Sequence, residues 1–162
     1  MEALDPSPLD LASELDEVAD TLDLQATEAG VDLQLTVRER PLQVVSDRNA
    51  LYRIVVNLVS NAIKFTEAGG RVELQAKRDE DRVVITVQDT GIGMGDEFQA
   101  RLFDSFTQES MGPRTYEGSG LGLAVVDHLV DLLGGTINVE STQGKGTTFE
   151  VVVPAVLPAK DA

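Results

Sequence analysis

The stretch from Asp47 to Thr66, DRNALYRIVVNLVSNAIKFT, decides how the rest of the chain must be arranged. At about 100° per residue, Leu51, Ile54, Val55, Leu58, Ala62 and Phe65 fall on one face of a helix, and Tyr52, Val56, Val59 and Ile63 widen the apolar arc. Arg53, Asn57, Ser60, Asn61 and Lys64 share the remaining strip. A polar strip on a lone helix is usually its solvent face. Here the chain holds 28 acidic residues against 13 basic ones, yet the strip carries two amides, two cations and no carboxylate. Asn57 and Asn61 stand one turn apart and Lys64 follows a turn beyond, so three polar ends converge on one spot. Such a trio suits phosphates and a hard metal ion.

A helix with so wide an apolar arc needs cover on several sides, and the 162-residue chain is long enough to supply it as one domain with a single core. The hydrophobic content of 42% is that of a globular protein. No apolar run approaches the roughly 18 residues of a membrane span, and the start MEALDPSPLD lacks the basic and apolar segments of a signal peptide. With no cysteine there is no disulfide, thiolate metal site or cysteine nucleophile. These features point to the cytoplasm and to no direct membrane contact by this domain, whether or not a parent protein is membrane-anchored. A net charge of −15 repels nucleic acid, so a polyanionic ligand must enter a locally positive pocket.

Taken in order, residues 9–29 repeat Leu11, Leu15, Val18, Ala19 and Leu22 at helical spacing with an acidic outer face, and Gly30 ends them. VDLQLTVR alternates as a half-buried strand, and LQVVSD leads as a short strand into Asp47, a helix cap. RVELQAKR and DRVVITVQD read as a hairpin turning at Asp79–Asp81. The segment 98–118, polar with Gly112 and Pro113, has the length of a mobile lid. LGLAVVDHLVDLLGG is a third helix closed by Gly134 and Gly135. TINVES and TTFEVVVP form a second hairpin around Gln143–Gly146, and the tail beyond Pro154 reads as frayed. Hairpin strands and three helices needing one apolar cover predict an α/β two-layer sandwich, its antiparallel or mixed sheet layered by helices on one face.

The glycines of DTGIGMG and EGSGLGLAV let main-chain N–H groups face a ligand, and the second set opens a helix, whose free N–H groups and dipole favour phosphate. Gly118, Gly120 and Gly122 follow no strand and lack the dinucleotide-binding rhythm, and the lysine of GKGT precedes Gly146 rather than serine or threonine, so neither familiar phosphate loop applies. Asp89 ends an apolar strand, where a carboxylate serves either as a turn-former or as acceptor for an exocyclic amine such as that of adenine.

Together, NLVSNAIKFT, DTGIGM, RLFDSFTQ and EGSGLGL resemble the N, G1, F and G2 boxes of the catalytic ATP-binding domain of bacterial sensor histidine kinases, within the superfamily that includes gyrase, heat-shock chaperone and mismatch-repair ATPases. The resemblance covers residues 7–154. It implies a Bergerat-type sandwich, with a mainly antiparallel sheet under three helices, binding ATP with Mg²⁺. In that family's terms Asn61 would ligate magnesium, Asn57 would sit near the γ-phosphate or its metal, and Lys64 would contact phosphate, making Asn57 and Lys64 the catalytic pair. Phe65 would lie beside the adenine, Asp89 would accept its amino group, and Thr147 would help close that end. Gly91, Ile92 and Gly93 would shape the base pocket, and Gly118, Ser119, Gly120, Leu121, Gly122 and Leu123 would wrap the phosphates. Phe103 and Phe106 would anchor the lid, with Gln108 and Arg114 as further phosphate contacts.

Relatives that hydrolyse ATP typically place a water-activating glutamate where this chain has Asn57, and a neutral amide cannot take a proton. A kinase transferring to a histidine nitrogen has no need of that water. The sole histidine, His128, lies between Asp127 and Leu129 inside the third helix, without the pattern of acidic and proline neighbours expected of a phosphoacceptor. The implied partners are therefore a histidine-bearing dimerisation domain and, after it, a response regulator. Two other readings share the fold: a nucleotide-responsive module that moves no phosphate, and an anti-sigma-type serine kinase, which usually carries an acidic residue at the position of Asn57.

Overall fold

The computed structural model describes residues 4–91, 119–142 and 144–157. In chain order it contains β1 (Ser7–Asp10), α1 (Leu11–Ala29), β2 (Asp32–Val37), β3 (Gln43–Ser46), α2 (Arg48–Phe65), β4 (Arg71–Asp79), β5 (Arg82–Asp89), α3 (Ser119–Leu132), β6 (Thr136–Thr142) and β7 (Gly146–Pro154). A five-stranded sheet runs β2-β4-β5-β7-β6. β2 and β4 are parallel, as strands separated by a helical crossover can be, and the other pairs are antiparallel. Glu80, at φ 58, makes the tight turn between β4 and β5.

Strand alternation puts Val72, Leu74 and Ala76 of β4, Val83, Ile85 and Val87 of β5, and Phe149, Val151 and Val153 of β7 on one buried face. The helices lie on that face. α2 occupies the middle, packed against α1 on one flank, α3 on the other, and β4 and β5 beneath. Its Ile54, Leu58 and Val59 are fully buried, joined in one core by Leu11, Leu15 and Val18 of α1 and by Val126, Leu129 and Val130 of α3. The expected sandwich, with three helices over one face of a mixed sheet, is the observed one. Among the described residues no helix is long and apolar enough to cross a membrane.

Three expectations need correction. The first helix begins at Leu11 rather than at residue 9, because Leu9 and Asp10 belong to β1, which pairs antiparallel with β3. Asp10 is the N-cap, its carboxylate accepting from the Ala12 amide at 3.1 Å and the Leu42 amide at 2.8 Å. The tail beyond Pro154 is not frayed at its start. The Val45 amide donates to Ala155 O and the Leu157 amide to Val45 O, both at 2.8 Å, with Ala155 and Leu157 buried. The open edge of β3 supplies backbone partners that no local pattern announces. The third helix starts at Ser119, two residues before the expected Leu121.

Candidate functional site

The C-terminal half of α2 reaches one end of the sheet, where β5 finishes at Asp89. Asp47 caps the other end of this helix, its Oδ1 accepting from the Ala50 amide at 2.9 Å, as the sequence predicts, while Oδ2 accepts from the Asp5 amide at 2.9 Å. The polar strip of α2 divides in two. Ser60 faces α1: its hydroxyl donates to Gln25 Oε1 at 3.2 Å and its carbonyl accepts from Gln25 Nε2 at 3.5 Å. Tyr52 lies on the same side, donating to Thr21 Oγ1 at 3.5 Å. Asn57 is half-buried, Lys64 exposed and Phe65 half-buried. Asn61 is only 5% exposed, and among the described residues its Nδ2 has no hydrogen-bond partner.

An unsatisfied buried amide costs on the order of 1–3 kcal/mol, so Asn61 is a candidate for contact with a ligand. Half a turn of the carboxamide exchanges its oxygen and nitrogen, so it can offer either a donor or a metal-binding oxygen. Among the described residues no cluster of three or more histidines and carboxylates gathers to hold a metal. A magnesium ion would therefore depend on the Asn61 oxygen together with ligand phosphates, a donor set that suits that ion.

At the end of the sheet, Val72, Asp89, Thr147 and Ser141 lie side by side across β4, β5, β7 and β6. Asp89 is 4% exposed. Its Oδ1 accepts from the Gly91 amide at 2.8 Å and the Thr147 amide at 3.2 Å, and among the described residues Oδ2 accepts from none. Burial pushes the carboxyl pKa above its ordinary value, against the opposing pull of those two amides. A carboxylate fixed by one oxygen, with the other oxygen left over, is equipped to take an N–H from a ligand. Gly91 is required by contact: a Cβ there would overlap the carbonyl oxygen of Phe65 and press on Asp89 Oδ1. That approach brings the end of α2 against the strand end, so Phe65 and Asp89 share one corner. Thr147 is buried, with its hydroxyl 2.8 Å from Ser141 Oγ.

The structure thus joins Phe65, Asp89, Gly91 and Thr147 in one place and sets Asn61 on the helix that leads into it. Gly120 and Gly122 fall on the first turn of α3, which begins at Ser119, with Leu121 between them. Leu123, expected beside phosphate, is 1% exposed and part of the apolar core. Ile92, Gly93, Phe103, Phe106, Gln108, Arg114 and Gly118, with the whole expected lid, lie outside the described residues. His128 is exposed on α3. Ser141 also lies beside this corner, where only the β6–β7 register puts it against Thr147, a placement no local pattern announces.

Residues 46–157 match the family described as "Histidine kinase-, DNA gyrase B-, and HSP90-like ATPase". The circadian input-output histidine kinase CikA of Synechococcus elongatus is 46% identical over 125 residues, covering 76% of this chain and 16% of CikA. The signal transduction histidine-protein kinase BarA of Escherichia coli is 38% identical over 152 residues, covering 90% of this chain and 17% of BarA. Full-length ShkA, solved in complex with AMPPNP, superposes with a TM-score of 0.84 at 33% identity, covering 98% of this chain and 33% of ShkA. The catalytic domain of the histidine kinase ThkA, at 21% identity, shares the fold with a TM-score of 0.81 over 96% of this chain and all (100%) of its own. The chain spans about a sixth of the length of these two curated relatives, CikA and BarA. A buried strand-end carboxylate beside a glycine corner, the long helix carrying Asn57 and Asn61, and the match over 46–157 agree: the chain belongs to the histidine kinase-, DNA gyrase B- and HSP90-like ATPase family, as the ATP-binding catalytic domain of a protein-histidine kinase.

Proposed function

We propose that this domain binds Mg-ATP between the C-terminal half of α2 and the Asp89 corner, and gives the γ-phosphoryl group to a histidine on a separate dimerisation domain. A response regulator then receives it. The observation that carries this reading is the Asp89 carboxylate, buried at 4% exposure yet, among the described residues, hydrogen-bonded through one oxygen only. Asp89 Oδ2 accepts the base amine, Phe65 borders the base, and Gly91 leaves room for it. Asn57 and Lys64 lie along α2 toward the phosphates, with Asn61 holding the metal. Magnesium, when bound, neutralises phosphate charge and orients the transferable group. Asn57, being an amide, orients without drawing a proton from water, which favours transfer to a partner over hydrolysis. The AMPPNP complex of ShkA supports the nucleotide, and ThkA, solved in complex with the response regulator protein TrrA, illustrates the onward partner.

The test is acid-labile phosphate after incubation with γ-labelled ATP. The chain alone should bind Mg-ATP and acquire no label, because His128, exposed on α3, lacks the sequence surroundings expected of a phosphoacceptor. Adding a dimerisation domain with an exposed histidine should transfer label to that histidine, and Asn61→Ala should stop the transfer. Label on His128 would make the chain a self-sufficient kinase and overturn the division of labour. Binding without transfer to any histidine domain would leave a nucleotide-responsive module instead.

A further inference from the structure

The row of side chains at the nucleotide corner continues past Thr147 to Ser141 on the edge strand β6. Ser141 Oγ lies 3.1 Å from the carbonyl oxygen of Gly146 and 2.8 Å from Thr147 Oγ1. A carbonyl can only accept, so the single Ser141 hydroxyl proton points to Gly146. Either hydroxyl could donate in the shorter contact, and the arrangement that also keeps the bond to Gly146 has Thr147 donating to Ser141. The protons run in one direction, from Thr147 to Ser141 to the Gly146 carbonyl, and Thr147 Oγ1 keeps only lone pairs for other partners. Gly146 holds its place by close approach: at φ +106, a Cβ would overlap the Asp89 carbonyl oxygen. The acceptor that terminates the chain is therefore packed on the strand that carries Asp89.

We propose that Ser141 is a positioning residue that fixes the Thr147 hydroxyl as a hydrogen-bond acceptor, so that Asp89 and Thr147 together select a purine bearing a 6-amino group over one bearing a 6-oxo group. This rests on the nucleotide-binding reading above. An amino group brings two N–H donors to a corner whose side chains offer only acceptors. A 6-oxo group brings lone pairs against lone pairs. A threonine hydroxyl free to rotate would answer the oxo group by turning its own proton toward it. Ser141 removes that freedom by occupying the proton.

The experiment measures affinities of the full chain for Mg-ATP and Mg-ITP by calorimetry, for wild type, Ser141→Ala and Ser141→Thr. Wild type should prefer ATP. Ser141→Ala should narrow the ATP-to-ITP ratio by on the order of three- to tenfold, the worth of one neutral hydrogen bond, chiefly through tighter ITP binding. Ser141→Thr retains the hydroxyl and should retain the wild-type ratio. If Ser141→Ala fails to fold, Ser141→Cys, whose thiol hydrogen-bonds weakly, carries the same comparison. The proposal is overturned if wild type does not discriminate, if the ratio survives loss of the hydroxyl, or if both nucleotides weaken equally, as for a merely structural support. Absence of ATP binding by wild type would overturn the nucleotide reading and this inference together, and differs from the other outcomes in that no variant binds.

Discussion

Asp89→Asn separates the two roles of the buried carboxylate. Oδ1 receives two backbone N–H groups, from Gly91 at 2.8 Å and Thr147 at 3.2 Å. An asparagine must keep its oxygen there, because its nitrogen cannot accept. Nδ2 then stands where Oδ2 was and meets the base amine donor to donor. The loss is a charge-assisted hydrogen bond, about 1.5–3 kcal/mol, which is roughly 10- to 150-fold in dissociation constant. We expect a cost of about 2 kcal/mol or more for ATP and loss of the preference for adenine over guanine. Stability should move the other way. Burial raises the folded-state pKa of Asp89, so its contribution to stability is fully present below the unfolded value of about 3.9 and is lost as pH rises through the raised folded value. At neutral pH the ionised group is a cost, and the amide should leave the fold at least as stable, without that acid-side dependence. In wild type, nucleotide affinity should fall on acidification as Asp89 protonates and loses the charge that receives the amine. Calorimetry with Mg-ATP and Mg-GTP, beside urea denaturation at several pH values, reads both quantities. Unchanged ATP affinity in a folded Asp89→Asn protein would refute the placement of the base.

Asn61→Leu should abolish Mg-nucleotide binding while leaving urea stability unchanged or up to about 1 kcal/mol higher, since it removes an amide whose Nδ2 is buried without a partner; a loss of several kcal/mol would show that Asn61 is structural. Gly91→Ala should destabilise by on the order of 2 kcal/mol or more, because the overlap is with the backbone carbonyl of Phe65 rather than a movable side chain, and differential scanning calorimetry checks it. Leu157→Ala should cost about 2–3 kcal/mol in denaturant titration, as a buried leucine, 5% exposed, on the strand-like tail beside β3; a neutral result would mean the tail pairing contributes little. Ser60→Ala should leave nucleotide affinity unaltered in the same calorimetric assay, because its hydroxyl is engaged with Gln25 of α1.

The amino-acid sequence by itself determined those features whose cause is local. The period of α2, the alternation in β4, β5 and β7, the Asp47 cap and the turn at Glu80 each follow from neighbouring residues, and they suffice for three helices over one face of a sheet. The polar strip of α2 was also legible, since a run of cations and amides without a carboxylate contradicts the acidic composition around it. Only tertiary structure decided how the members of the strip divide between neighbouring elements and the candidate site. Ser60 turns to α1 and Asn61 is buried with an unsatisfied amide, because the positions of α1 and the sheet around α2 are set by contacts far apart in sequence. Residues 7–10 and 155–157 carry too few side chains to specify their own state. They become strand-like because β3, itself short, leaves backbone groups on both edges that need partners. Thr147 and Ser141 meet for a related reason: the β6–β7 register sets them opposite each other and Gly146 lets the turn close against Asp89, so the direction of their hydrogen bonds is a property of the folded sheet rather than of either residue.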